Sequence, residues 1–295
     1  MSIAPIDPRT GHLESRPAPP PTGRHRSHPA PGHDSTRETS SRRLVRDTRV
    51  LTLRILRRWS RDPANVMQSV VMPVGLLLAM NIVLGDGIEQ VTGRSALYGL
   101  IPLASIVGAM TGALVGGIGL MRERASGLMS RLWVLRAHRA AGPLARLLAD
   151  AVRILAITVI ALIIGVVLGF RFHQGPLQAL VWLFVPVVFG MAFSGLVITV
   201  CLWTANTFVP QATEVIVAIL MFFSTGFVPL DQFPHWLQPA VEHQPLSYAV
   251  EAMKGLSLGG PVLEPTVATL LWSAGVLGLC AVPMGIGYRR SSMRG

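Results

Sequence analysis

Lysine is almost absent from this sequence: Lys254 is the only lysine among 26 basic residues. A phosphate-binding loop of the form Gly-x-x-x-x-Gly-Lys-Ser/Thr needs a glycine directly before its lysine, whereas Met253 precedes Lys254. The chain therefore has no nucleotide site of that kind. If ATP drives its activity, a separate polypeptide has to hydrolyse it.

Carboxylates and histidines are missing from the cores of the long apolar runs. A proton relay, a paired acid–base site or an intramembrane metal site would need such groups. Ser194 has no intramembrane histidine to activate it, so we expect a core serine. His235, Glu242 and His243 could ligate a cation, but a solvated loop is favoured because their segment defines no geometry. We therefore expect no catalytic, cofactor-binding or metal-binding residues.

Charged residues are also few: they make up 14% of the chain, against about 25% in soluble proteins. The mean hydropathy is +0.50, and apolar runs of about 20 residues can cross a bilayer core. These features predict an all-α, polytopic membrane protein. The net charge of +11 does not indicate nucleic acid, because most arginines flank apolar runs, where they set topology. The two cysteines, Cys201 and Cys280, are expected to be core side chains.

Six membrane spans are predicted. They cover approximately residues 64–84, 97–120, 148–170, 177–203, 208–228 and 266–288. With the N-terminus inside, 23 of the 26 basic residues lie on the cytoplasmic side or at its boundary, and only Arg94, Arg171 and Lys254 lie outside. The positive-inside rule therefore predicts a multi-pass plasma-membrane protein with both termini cytoplasmic.

The residues before the first span divide into a tail and a helix. Residues 1–40 contain eight prolines and no apolar signal-peptide core, so we expect a disordered cytoplasmic tail and no signal peptide. Residues 41–62 show helical periodicity, with arginines on one face and an apolar stripe on the other. The stripe consists of Leu44, Thr48, Leu51, Ile55 and Trp59. This predicts an amphipathic interfacial helix near anionic headgroups; a helix packed on a soluble partner is the alternative.

Span two carries small residues at a constant four-residue spacing: Ala104, Gly108, Gly112 and Gly116. Such a stripe lets two membrane helices approach closely. The partner helix could belong to this chain or to a second copy. In span three, Arg153 lies one turn inside the membrane and could either snorkel or pair with Asp150.

The loop between spans two and three, residues 121–150, carries six arginines and two acids. Its middle part, residues 128–135, is apolar on one side and charged on the other. A loop of this kind is suited to contact a protein rather than water. Since the chain has no nucleotide site, we expect the loop to contact a separate ATP-hydrolysing subunit.

The segment ahead of span six, residues 229–265, combines interface aromatics with prolines that break the backbone. A short helix is predicted over residues 247–256, where Glu251 and Lys254 have the i, i+3 spacing of a helical ion pair. We predict a pair of short helices, re-entrant or lying on the surface. Irregular backbone at membrane depth needs cover from protein or water, so this segment should line or cap a cavity.

Three stretches of the sequence resemble the permease subunits of type-2 ABC exporters, and most closely the daunorubicin-resistance group, the Drr permeases. The first is Arg122-Glu123-Arg124-Ala125-Ser126-Gly127-Leu128, similar to the Glu-Arg-x-x-Gly element that begins the family's coupling helix. The second, residues 145–150, leads into the Gly165–Arg171 end of span three. The third, residues 233–255, has prolines, aromatics and an acid–base pair at the family's offsets. An Arg-Ala pair at 136–137 replaces the family's common Thr-Pro, so the end of the coupling helix is not carried over.

The resemblance implies that residues 63–295 form a six-span permease domain. It implies a second permease copy or a sister permease as a partner, and a separate ABC ATPase subunit (DrrA-like) that binds ATP and magnesium. ATPase coupling is then expected at Glu123, Arg124, Gly127, Leu128 and Arg131, although single arginines could serve topology alone. An outer gate signature is expected at Pro234, Trp236, Pro245, Tyr248, Glu251 and Lys254.

The resemblance also implies export of an amphipathic substrate, either a drug or a complex envelope lipid such as a phthiocerol dimycocerosate. A pathway without internal charge suits such a cargo, and membrane lipids surround it. Two other functional classes stay open at this point. One is a membrane-embedded enzyme of lipid metabolism, which would need a polar catalytic cluster. The other is an energy-independent scaffold or channel.

Overall fold

The fold is described here from a computed structural model that covers residues 35–125, 141–204 and 208–293. Residues Thr39–Gly295 form one compact unit. The helices are α1 (Ser35–Ser60), α2 (Pro63–Thr92), α3 (Leu97–Ala125), α4 (Ala141–Val167), α5 (Pro176–Trp203), α6 (Phe208–Phe222), α7 (Gln238–His243), α8 (Pro245–Leu258) and α9 (Leu263–Met293), with a 3₁₀ turn at Leu230–Gln232. Within the described ranges there is no strand, so the prediction of an all-α protein is confirmed.

Five of these helices are long and apolar enough to cross a membrane: α2, α3, α4, α5 and α9. The fifth predicted span, residues 208–228, corresponds to α6, whose 15 residues make it shorter than the other spans. Helix α3 is the centre of the bundle, since 72% of its most apolar 18-residue stretch is buried inside the protein. The corresponding share is 11% for α2 and 17% for α9. Helix α5 packs between α3, α4 and α9. The outer helices thus present apolar side chains to their surroundings, as lipid-facing helices do.

Three helix ends differ from the predicted span boundaries by six residues or more, and the other ends differ by five or fewer. Helix α4 begins at Ala141 rather than at residue 148, so it includes the last ten residues of the predicted 121–150 loop. Helix α2 continues through a Gly-Asp-Gly sequence to Thr92, because its backbone hydrogen bonds persist until Gly93, whose positive φ of 66° ends the helix. Helix α6 ends at Phe222 rather than at residue 228. There the Ser224 hydroxyl accepts a hydrogen bond from the Gly226 amide (3.1 Å), which stabilises a turn in place of another helical turn.

The predicted short helix over residues 247–256 is α8, which extends from Pro245 to Leu258. It packs against α3, α5 and α9, and most of its apolar side chains are buried, including those of Leu246, Val250 and Met253. Gln244 has extended backbone (ψ 144°), as expected for a residue before proline, and so the helix starts at Pro245. A short helix therefore closes one end of the bundle ahead of α9.

Candidate functional site

Three charged side chains from three helices meet at the arginine-rich end of the bundle, where α1, α3 and α5 end and α4 begins. Glu123, near the end of α3, lies 2.8 Å from Arg58 of α1 and 2.5 Å from Arg146 of α4. We call Arg58, Glu123 and Arg146 the elbow network. Arg146 is buried, with its side chain 8% exposed, and it also donates to the Gly116 carbonyl at 3.1 Å. The elbow network holds α1 and α4 to the end of α3, directly before residues 126–140.

Arg124, the next residue on α3, binds the end of a different helix. Its Nη1 donates to the carbonyls of Cys201 (3.0 Å) and Leu202 (2.8 Å) at the C-terminus of α5. A cation is favoured there because the last carbonyls of a helix carry partial negative charge. Glu123 and Arg124 therefore connect α3 to three other helices, α1, α4 and α5.

The other predicted coupling residues, Gly127, Leu128 and Arg131, lie outside the described residues, as do residues 1–34. Helix α1 is described from Ser35, six residues before the start predicted for it. Its apolar stripe is the more buried face, with Thr48 6% exposed, while Arg46, Arg54 and Arg57 are exposed. The Thr52 hydroxyl donates to the Ala145 carbonyl of α4 at 3.2 Å. The arginine face of α1 thus points away from the bundle.

The glycine stripe of α3 faces side chains of α4 within the same chain. A methyl group added at Gly112 would lie 3.1 Å from Nε of Arg153, and one at Gly116 would lie 3.4 Å from Oδ1 of Asp150. Gly108 faces Ile157 and Pro73, and Ala104 is buried. The stripe therefore makes room for the side chains of a neighbouring helix, including two charged ones.

Asp150 and Arg153 form the ion pair that their spacing allows. Nη2 of Arg153 lies 2.7 Å from Oδ1 of Asp150, with the two side chains only 7% and 5% exposed. The contact is an ion pair rather than a well-directed hydrogen bond, since neither Nε nor Nη2 has a hydrogen-bond acceptor in suitable geometry. Charges buried this deeply cost free energy unless they stay paired.

The opposite end of the bundle is tied together by polar side chains of α8 and of Gln244, the residue that precedes it. Gln244 donates to the Phe223 carbonyl, just beyond α6, and to the Ser247 hydroxyl (2.9 Å). Lys254 forms the predicted ion pair with Glu251 (2.9 Å) and donates to the Thr225 carbonyl (2.7 Å). These bonds hold α8 against the turn that follows α6.

A cavity of about 560 Å³ opens at this end, between the α2–α3 connection and α8. Apolar residues such as Ile88, Phe227 and Leu258 form part of its wall. The charged residues that line it are Arg94, Glu242, Glu251, Lys254 and Glu264. With three carboxylates and two cations, the cavity combines apolar surface with a small excess of negative charge.

Some of the predicted gate residues line this cavity and others do not. Tyr248, Glu251 and Lys254 line it, and Pro245 begins the helix that carries them. The Pro234 carbonyl accepts a hydrogen bond from the Leu237 amide (2.8 Å) and so begins the turn into α7. Trp236 is 79% exposed on the outside of that turn. Neither Pro234 nor Trp236 lines the cavity.

Sequence reasoning missed the partners of Glu123. Arg58 and Arg146 are 65 and 23 residues away from it, and no local spacing connects them. It also passed over Glu214, a carboxylate on the second turn of α6, where it is exposed. Among the described residues, no group of three or more histidines, cysteines or acids lies close enough to hold a metal ion.

Comparison with known proteins agrees with this architecture. The family described as ABC-2 type transporter matches residues 46–257. The chain is 48% identical over 255 residues to the probable doxorubicin resistance ABC transporter permease protein DrrC of Mycobacterium tuberculosis, covering 86% of this chain and 92% of that one. It is 25% identical over 220 residues to the daunorubicin resistance ABC transporter permease protein DrrB1 of Streptomyces coeruleorubidus, covering 74% and 77%. The chain therefore belongs to the ABC-2 type transporter family, as a multi-pass membrane permease.

Proposed function

We propose that this chain is the permease subunit of an ATP-driven exporter of amphipathic drugs, and that a separate ABC ATPase docks at its arginine-rich end. The observation that carries the proposal is the elbow network: Glu123 joins α1, α3 and α4 directly before residues 126–140. A push that reaches Glu123 would act on three helices at once. Gly127, Leu128 and Arg131, with Arg124, complete the proposed docking element.

The proposed orientation places the arginine-rich end and both termini in the cytoplasm. It is supported by the distribution of basic residues: among those in the part of the chain that the structure describes, only Arg94, Arg171 and Lys254 lie at the other end. The cavity lined by Tyr248, Glu251 and Lys254 would then open toward the outside. A second permease, either a copy of this chain or a sister chain, would complete the pathway.

Drugs are favoured as the cargo because the similar permeases of Mycobacterium tuberculosis and Streptomyces coeruleorubidus carry doxorubicin or daunorubicin resistance in their names. Such molecules are amphipathic, and the described helices that form the bundle offer largely apolar surfaces. A complex envelope lipid is the second cargo to test. It has the same apolar requirement but no support from the names of these relatives.

The test is transport into inverted membrane vesicles that contain the chain and the ABC ATPase that co-purifies with it from its native host. We expect ATP-dependent accumulation of doxorubicin. Failure of any ATPase to co-purify would contradict the proposed partner. ATP-dependent movement of a long-chain envelope lipid without doxorubicin would contradict the proposed cargo and leave the exporter assignment standing.

The Glu123→Gln variant tests the coupling role. It removes the charge that holds Arg58 and Arg146, so we expect ATP hydrolysis to persist while doxorubicin accumulation falls about tenfold or more, as for the loss of one or two charge-assisted bonds. Glu89→Gln is the matched control, because Glu89 is an exposed carboxylate near the far end of α2. Transport by Glu123→Gln at the parental rate would refute the coupling role.

A further inference from the structure

A second, larger cavity of about 800 Å³ lies at the bend between α1 and α2. It is lined by Val50, Leu53, Arg54, Arg57, Arg58, Arg61, Asp62 and Pro63. Four arginines and one aspartate give this surface a formal charge of +3. We call it the arginine pocket; of its residues only Arg58 belongs to the elbow network, and none lines the cavity near α8.

The four arginines converge because of helix geometry. Positions 54, 57, 58 and 61 are separated by three or four residues, which places their side chains on one face of α1. The chain then turns at Asp62, whose amide donates to the Trp59 carbonyl (3.1 Å), and α2 begins at once, with the Val66 amide bonded to the Asp62 carbonyl (3.1 Å). The start of α2 therefore closes one side of the pocket, and its dipole adds positive potential there.

Arg58 is the arginine that the pocket shares with the elbow network, since it also binds Glu123 at 2.8 Å. Its side chain is 61% exposed despite this contact. Arg54, Arg57 and Arg61 are exposed as well. An anion with several oxygens could thus bind these guanidinium groups and remain in contact with Arg58.

Apolar surface continues from the pocket along α2. Met67 and Val71 follow Pro63 at four-residue spacing on the same helix face and are 60% and 54% exposed. Val50 and Leu53, which line the pocket itself, are 60% and 45% exposed. From Pro63 to Val71 the helix rises about 12 Å, comparable to much of an acyl chain in one leaflet, which is about half of a 30 Å core.

We propose that the arginine pocket binds the phosphate of an anionic phospholipid, whose acyl chain lies along the exposed apolar residues of α2. Net negative charge is required because the pocket is strongly positive, so a zwitterionic lipid, whose headgroup carries its own cation, fits less well. An acyl chain is required because inorganic phosphate would leave the apolar part of the site uncovered. The site does not depend on which cargo the permease moves.

The test is lipid binding to the purified, delipidated full chain in neutral detergent, measured by native mass spectrometry with dioleoylphosphatidylglycerol and dioleoylphosphatidylcholine. The triple variant Arg54→Gln/Arg57→Gln/Arg61→Gln is expected to bind phosphatidylglycerol about tenfold or more weakly than the parent, since each arginine near an anionic lipid contributes separately. The matched control is Arg42→Gln/Arg46→Gln/Arg49→Gln, which removes three exposed arginines from the same helix outside the pocket. The control should bind as the parent does.

A lysine variant distinguishes loss of the binding site from loss of folding. Arg54→Lys/Arg57→Lys/Arg61→Lys keeps the charge, and we expect it to retain most of the preference for phosphatidylglycerol over phosphatidylcholine. Equal losses in the two glutamine triples would overturn the proposal, because the effect would then be the net charge of α1. Equal binding of the two lipids by the parent, or displacement of phosphatidylglycerol by inorganic phosphate at equal concentration, would overturn it as well.

Discussion

Asp150 and Arg153 show how a charged pair can lie inside an apolar bundle. Both side chains are more than nine-tenths buried, and they face Gly112 and Gly116 of α3. A methyl group at Gly112 would crowd the guanidinium at 3.1 Å, and one at Gly116 would be in van der Waals contact with the carboxylate at 3.4 Å. The pair and the glycines therefore depend on each other, and each charge is tolerated because the other is present.

Removing one member of the Asp150–Arg153 ion pair should lower the free energy of unfolding much more than removing both. Arg153→Met leaves the Asp150 carboxylate buried without its cation, and we expect a loss of about 3–5 kcal/mol in the free energy of unfolding. The double variant Asp150→Leu/Arg153→Met should recover most of that loss. Unfolding in increasing concentrations of a denaturing detergent measures the free energy of unfolding of both variants. A single variant as stable as the parent would show that the pair is not electrostatically coupled.

At the scale of helices, Gly190 shows how closely α5 packs against its neighbours. A methyl group at Gly190 would lie 2.6 Å from Cδ1 of Ile154 on α4 and 2.8 Å from Cβ of Ala109 on α3. Cβ of Ala109 cannot rotate away, because it is fixed to the backbone. Gly190 thus sets the distance at which α3, α4 and α5 pack together.

Gly190→Ala should lower the free energy of unfolding by about 1–3 kcal/mol through overpacking. Gly119→Ala on α3 is the matched control, because nothing lies within 4 Å of the added methyl group, and alanine gains about 0.5–1 kcal/mol over glycine within a helix. Thermal unfolding followed by circular dichroism compares the two. Equal unfolding temperatures for the two variants would mean that α3, α4 and α5 can move apart to accommodate the added methyl group.

For the whole molecule, the arrangement of helices predicts which surfaces lie on the same side of the membrane. In a background with Cys201→Ala and Cys280→Ala, Ser60→Cys reports on the arginine-rich end and Gln232→Cys on the end that contains α8. Both positions are exposed. An impermeant maleimide should label Gln232→Cys in intact cells and Ser60→Cys only after lysis. The reverse pattern would invert the proposed orientation.

The class of fold and the approximate helix positions could be predicted, since both depend on local properties. Apolar length predicts the five long spans, and the Glu251–Lys254 spacing predicts their ion pair, because a helix fixes neighbours three residues apart. The end of α2, by contrast, could not be predicted correctly from the sequence. Its Gly-Asp-Gly sequence reads as a loop, but the helix continues to Thr92, where the positive φ of Gly93 ends it.

The sequence by itself determined that this protein is helical, spans a membrane and carries most of its arginines on one side of the spans, because hydropathy and charge act at each position of the chain. Only the tertiary structure decided that Glu123 joins Arg58 to Arg146, that the glycine stripe accommodates Arg153, and that four arginines of α1 meet the start of α2 in one pocket. Such contacts depend on how each helix is rotated and shifted against its neighbours. That rotation is set by the packing of all the helices together, which no local spacing records.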